Sequence, residues 1–432
     1  MMNYADFLAR KAKVFHGSGI DARELPAKLY DWQAAITRWA LRKGRAALFE
    51  DCGLGKTFQQ VAWASAIGER TLFLAPLCVA EQTVWEAAKL NVDVRYCQNQ
   101  EHADKADTPF IITNYERLDA FDADRYKAVV LDESSILKAF DGKTRTKLIQ
   151  TFKRTPYRLC CTATPSPNDI AELANHAEFL GLMTRQEFLA TWFVHDDQGW
   201  RMKRHAVQPF YRWLASWAIA IRRPSDLGYS DDGFTLPALT ITDSIVASEN
   251  TSGSLFPELS LAGIQGRMAA RRGSLEPRID VAVELAQSNR SQWLFWCGLN
   301  PESDALAEAI PDAVNVQGSD SYGVKRDAVE AFVHGDIRVL ISKVRILGFG
   351  LNLQQCSHMG FVGIGDSYEQ YYQAIRRCWR FGQKSEVFAH VIVSDAERAV
   401  VENVRKKEAV ADALSRDLIA HMQDFERKEL VA

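Results

Sequence analysis

The chain has 432 residues, 47% hydrophobic and 25% charged, with 52 Lys+Arg against 55 Asp+Glu. That composition implies a globular protein of two or three domains and excludes a disordered chain, a collagen-like rod or a coiled coil. No run approaches the ~18 apolar residues of a membrane span, and the N-terminus lacks a signal-peptide core, so the expected location is cytoplasmic with no membrane partner. The net charge of −3 carries no sign of a nucleic-acid partner, although a binding patch needs only local charge. The 8 cysteines never form C-x-x-C and sit in apolar runs such as RLCCTA, which reads as reduced thiols with no zinc or disulfide framework.

From residue 28 to 165 short β-type runs alternate with helical stretches. AALFE (46–50) passes through a glycine-rich turn into the helical TFQQVAWASAI, TLFLA (71–75) precedes AEQTVWEAAKL, and FIIT (110–113), KAVVLD (127–132) and YRLCCTA (157–163) follow. Strands alternating with helices predict an α/β fold with a parallel sheet and right-handed crossovers. Residues 166–235, rich in Trp and Arg, predict a helical insertion with no clear strand. Residues 236–292 read as a connector, with strand character in TLPALTITDSIVAS and a polar stretch in ENTSGSLFPELS. Alternation returns over 293–394 with WLFWC, AVNV, RVLIS, MGFVGI and VFAHVIV, and 395–432 predicts a charged amphipathic helix. The expected plan is therefore two parallel-sheet lobes, residues 1–165 and 293–394, around a helical insertion, with a C-terminal helix.

EDCGLGKT (50–57) lies between an apolar strand and a helix. Gly53 and Gly55 let backbone N–H groups approach phosphate oxygens, and the helix N-terminus adds positive potential. Lys56 suits the β- and γ-phosphates and Thr57 suits Mg²⁺, although Glu50 stands where the strict G-x-x-x-x-G-K-[ST] pattern has its first glycine. VVLDESS (129–135) ends an apolar strand in adjacent carboxylates, expected beside the phosphate loop at the carboxyl edge of the sheet. Asp132 would hold Mg²⁺ through water and Glu133 would polarise the attacking water. Together the two motifs point to a nucleoside triphosphatase.

With these motifs in order, the chain resembles superfamily 2 helicase-type motors, specifically their Swi/Snf-like branch. YDWQ (30–33) is similar to the adenine-reading segment, with Gln33 as the base-contacting amide, and EDCGLGKT resembles ADEMGLGKT. Residues 72–90 and ITNYERL (112–118) resemble nucleic-acid-contacting motifs, TATP (162–165) matches the coupling motif, and DESS stands where the DEAD/DEAH-type sequence falls. GFGLNLQ (348–354), with Gly350 as a nucleotide-site glycine, and QAIRRCWRFGQ (373–383) resemble second-lobe motifs, in wording also similar to compact phage and mobile-element helicases. The resemblance implies two RecA-like lobes, ATP and Mg²⁺ as ligands, and Arg377 and Arg380 as transition-state arginines. Three residues apart, those two would share one face of a helix and complete the site on lobe closure. It also implies duplex DNA as the track of a translocase, with a monomer as the expected state. The alternatives are a strand-separating helicase on single-stranded DNA or RNA, or a motor or clamp subunit bound to a partner protein in a restriction, modification or replication assembly.

For the track itself, Asn114, Tyr115 and Arg117 match a contact motif. Residues 201–223 hold six basic side chains, including Arg222 and Arg223, and no acid; residues 264–278 add Arg267, Arg271, Arg272 and Arg278. Both stretches suit phosphates. The first reads equally as core tryptophans with a solvated arginine rim.

Overall fold

The computed structural model describes residues 14–21, 24–138, 142–196, 199–247, 271, 273–347, 352–365 and 367–431. The chain divides into two compact units, one of residues 1–234 with 410–432, the other of residues 235–409.

The first unit is built on a seven-stranded sheet of order β3-β4-β2-β5-β6-β1-β9, parallel throughout. Its strands are β1 (Arg45–Glu50), β2 (Thr71–Ala75), β3 (Val94–Tyr96), β4 (Phe110–Asn114), β5 (Ala128–Asp132), β6 (Tyr157–Thr162) and β9 (Ala218–Ile221). Sheets covered on both faces need continuous apolar strands, and β1, β2, β5 and β6 are buried along nearly their whole length. The phosphate-loop strand β1 and the acidic strand β5 are not neighbours. β6 lies between them, pairing Leu48 with Cys161 on one side and Asp132 with Cys161 on the other.

The helical insertion expected over 166–235 is corrected. Helices Leu173–Phe179, Arg185–Trp192 and Val207–Ala215 are present, but so are the antiparallel hairpin β7 (Phe193–Asp196) and β8 (Gly199–Met202), and β9 closes the edge of the main sheet beside β1. Trp213 and Trp217 are buried in the core of this unit. That core is completed by Leu418, Ile419 and Met422 from the helix Arg398–Val431. The same segment binds the first unit through polar contacts: Lys43 pairs with Glu429 at 2.7 Å, and Arg427 donates to the carbonyls of Ser225 and Asp226.

The second unit carries a six-stranded parallel sheet of order β10-β15-β14-β11-β13-β12. These are β10 (Leu239–Val246), β11 (Trp293–Cys297), β12 (Ala313–Val316), β13 (Val339–Ser342), β14 (His358–Val362) and β15 (Val387–Ser394). β10 is a single edge strand, half-buried or exposed along its whole length. The supposed connector also contains a helix, Leu275–Gln287, whose Ile279, Ala282 and Ala286 pack on the sheet. The polar stretch 249–260 lies outside the described residues. Two α/β lobes and a long helix at 398–431 thus agree with the expected fold class.

Candidate active site

The loop after β1 is shaped by Gly53 and Gly55 at φ of 87° and 80°. A Cβ on Gly55 would lie 2.5 Å from Gln33 Nε2, so both conformation and close approach demand glycine. The helix Lys56–Ile67 then starts with no side-chain cap and no acid in its first turn. Its uncapped N-terminus and dipole favour an anion. Gln33 donates to the Leu54 carbonyl at 2.8 Å and accepts from the Tyr30 N–H at 3.0 Å, which docks the amide against the loop.

Lys56 Nζ donates to the carbonyls of Glu50 (2.7 Å) and Asp51 (3.1 Å). Burial alone would lower its pKa, but the charges of Cys52, Glu133, Glu50 and Asp132 hold the ammonium above its ordinary range. Two successive glutamines of the same helix each hold a buried carboxylate. Gln59 Nε2 donates to Glu50 at 2.7 Å and Gln60 Nε2 to Asp132 at 2.8 Å. Burial raises Glu50 to about 7, against the opposing effects of Lys56 and Gln59. Burial and then Glu133 raise Asp132 to about 6, opposed by Gln60 and Lys56.

This setting fits a hydrated divalent cation and a polyphosphate. Glu50 Oε1, Gln59 Oε1 and Gln60 Oε1 are buried with no hydrogen-bond partner among the described residues, and such acceptors want donors or a cation. Among the described residues no three His, Cys, Asp or Glu side chains converge as a ligand set. Mg²⁺ keeps several waters and takes few protein ligands, so the site needs no such cluster to suit it.

Glu133 follows at φ 53°, a left-handed conformation that costs a non-glycine residue of the order of 1 kcal/mol. The turn is braced on both sides. Tyr115 Oη donates to the Asp132 carbonyl at 2.7 Å, and Ser134 Oγ lies 3.1 Å from His176 Nε2. Tyr115, expected at the nucleic acid, has its ring in the core instead. Asn114 is also buried, accepting from Tyr96 Oη at 3.2 Å and donating to Glu116 at 2.5 Å. Of that trio Arg117 alone is exposed.

The arginine stretches divide in the same way. Arg222 pairs with Asp412 at 2.6 Å and donates to Ser415 at 3.1 Å, whereas Arg223 is exposed with Asp226 at 3.6 Å. Arg271 is largely buried between Glu302 (2.8 Å) and Glu397 (3.2 Å), and Arg278 is fully buried on Glu302 at 2.8 Å. These two arginines serve an internal ion network, contrary to their reading as a phosphate patch. Arg272 and Gly350 lie outside the described residues. In the second unit Arg377 is buried, donating to the Gln373 carbonyl (3.0 Å) and to Gln373 Oε1 (2.6 Å). The helix carrying it ends at Cys378, so Arg380, half-buried, lies beyond its end and the expected shared helical face does not exist.

Gln59, Gln60 and His176 escaped the reading of motifs. Only the two glutamines had a signal, one turn past Lys56 on an otherwise apolar helix.

Residues 32–198 match the SNF2-related domain and residues 285–382 match the helicase conserved C-terminal domain. The chain belongs to the Swi/Snf-like branch of the superfamily 2 helicases, a class of helicase-type ATPases. No curated protein matches it. No helix among the described residues is long and apolar enough to cross a membrane.

Proposed function

We propose that the chain is an ATP-driven translocase on duplex DNA. The observation that carries this reading is the gathering of Lys56, Glu50, Asp132 and Glu133 around one uncapped helix N-terminus, in a chain with both helicase domains. Gln33 reads the adenine edge. Lys56 and the loop N–H groups around Gly53 and Gly55 bind the phosphates, with Gly350 contributing from the second lobe. Thr57 and Asp132 hold Mg²⁺, which when bound neutralises phosphate charge. Glu133 orients and polarises the attacking water, and Arg377 and Arg380 offset charge developing on the transferred phosphoryl group. Hydrolysis then depends on closure of the two lobes, and repeated closure moves the track.

Arg117, Arg223 and Arg272 are the proposed backbone contacts; Asn114, Tyr115, Arg222 and Arg271 act behind the surface. The GFGLNLQ and RRCWRFGQ wording supports a place among phage or mobile-element helicases. The test is ATPase turnover on single-stranded, duplex and branched DNA at two salt concentrations, with Lys56→Ala and Glu133→Gln. Duplex DNA should stimulate most, and each substitution should lower turnover at least about a hundredfold. Retained turnover in both variants refutes the site. Stimulation by single strands or RNA favours a strand-separating helicase, and activity that requires a neighbouring gene product favours a subunit of a larger assembly.

A further inference from the structure

The acidic turn lacks the histidine that a DEAH sequence would place at residue 135, which is serine here. The fold supplies one from elsewhere. His176, on the helix Leu173–Phe179, is fully buried, with Nε2 3.1 Å from Ser134 Oγ. Its ring stands edge-on to Phe49, centroids 5.2 Å apart, on the strand that leads into the phosphate loop. The preceding residue grips the far end of the same turn: Asn175 donates to the Lys138 carbonyl at 3.3 Å and accepts from Arg145 at 3.1 Å. One helix therefore holds both ends of the Ser134–Lys138 turn that follows the strained Glu133.

An apolar residue here would leave no ring nitrogen to satisfy. His176 Nδ1 is instead buried with no hydrogen-bond partner among the described residues, an arrangement that packing alone does not reward. We propose that His176 is a positioning residue for hydrolysis, fixing Ser134 and through it the left-handed backbone of Glu133, in register with the phosphate-loop strand. Burial drives the imidazole pKa down to about 3, so the ring stays neutral throughout the working range and acts as a hydrogen-bonding wedge rather than as a charge. The inference rests on Glu133 being the water-polarising residue, as proposed above.

The test compares His176→Leu, His176→Gln, Ser134→Ala and the His176→Leu/Ser134→Ala double variant in the full chain, with Glu133→Gln as control. DNA-stimulated kcat, KM for ATP, affinity for a fluorescent ATP analogue and Tm are measured for each. His176→Leu and Ser134→Ala should each lower kcat about tenfold or more while KM and analogue affinity move less than about threefold. The double variant should be no worse than the poorer single, and His176→Gln should recover most of the loss. Unchanged kcat in Ser134→Ala overturns the proposal even if His176→Leu fails to fold, and so does parallel loss of kcat and analogue affinity. Retained activity in Glu133→Gln places the fault in the assignment of the active site instead.

Discussion

Glu426 offers a stability test with a defined sign. Its carboxyl is fully buried on the helix Arg398–Val431, one oxygen accepting the Ala220 N–H of β9 at 2.7 Å and the other with no hydrogen-bond partner among the described residues. Burial first, and Asp226 second, push its pKa from 4.5 to about 8, against the Ala220 N–H and Arg427. Folding thus favours the protonated form. Stability from this group is complete below the unfolded value and drains away as pH rises through about 8. At 1.36 kcal/mol per pH unit, the loss between pH 5 and pH 9 is on the order of 4 kcal/mol. Glu426→Gln cannot titrate and keeps the acceptor for Ala220, but buries an amide NH₂ at a cost of about 1–3 kcal/mol. The variant should therefore be less stable than the parent at pH 5 and more stable at pH 9, with the curves crossing between. Amide exchange at peptides covering β9 and residues 418–426 measures this locally in the full chain. A parent–variant difference that stays constant from pH 5 to 9 refutes the assignment of a neutral carboxyl.

Gly363 lies at φ 80°, and a Cβ there would fall 2.1 Å from Arg271 Nη2. Gly363→Ala should therefore cost the second unit about 2–4 kcal/mol through strain and a displaced ion network, read as a lower denaturation midpoint. Tyr115→Phe removes the hydroxyl that holds the Asp132 carbonyl, so kcat should fall several-fold with DNA affinity unchanged; a large loss of affinity with kcat intact would return Tyr115 to the track.

How much was legible follows from what a linear pattern can carry. Apolar runs such as TLFLA and AVVLD announce strands because a parallel sheet buries both faces, and the phosphate loop announces itself because glycine spacing and a lysine are local requirements. AIAI at 218–221 is just as apolar but only four residues long, set among tryptophans and arginines, and a short run cannot be told from buried helix by period alone. The arginines of 264–278 looked free because their acids are distant in sequence: Arg271 finds Glu302 and Glu397 only in the fold. The intervening β6 and the placement of His176 behind Ser134 likewise depend on strand order and helix docking, which no spacing encodes.

The return of residues 410–432 to the first unit has a consequence for synthesis. Residues 1–234 leave the ribosome without Leu418, Ile419 and Met422 in their core and without the Glu426 carboxyl on β9. Glu426 lies 426 − 234 = 192 residues past the end of that segment, so at ~5–20 residues per second the unit waits roughly 10–40 s for its last helix. During that interval the edge strand β9 and the apolar side chains that Leu418, Ile419 and Met422 later cover stand open, which gives early-terminated chains a route to aggregation.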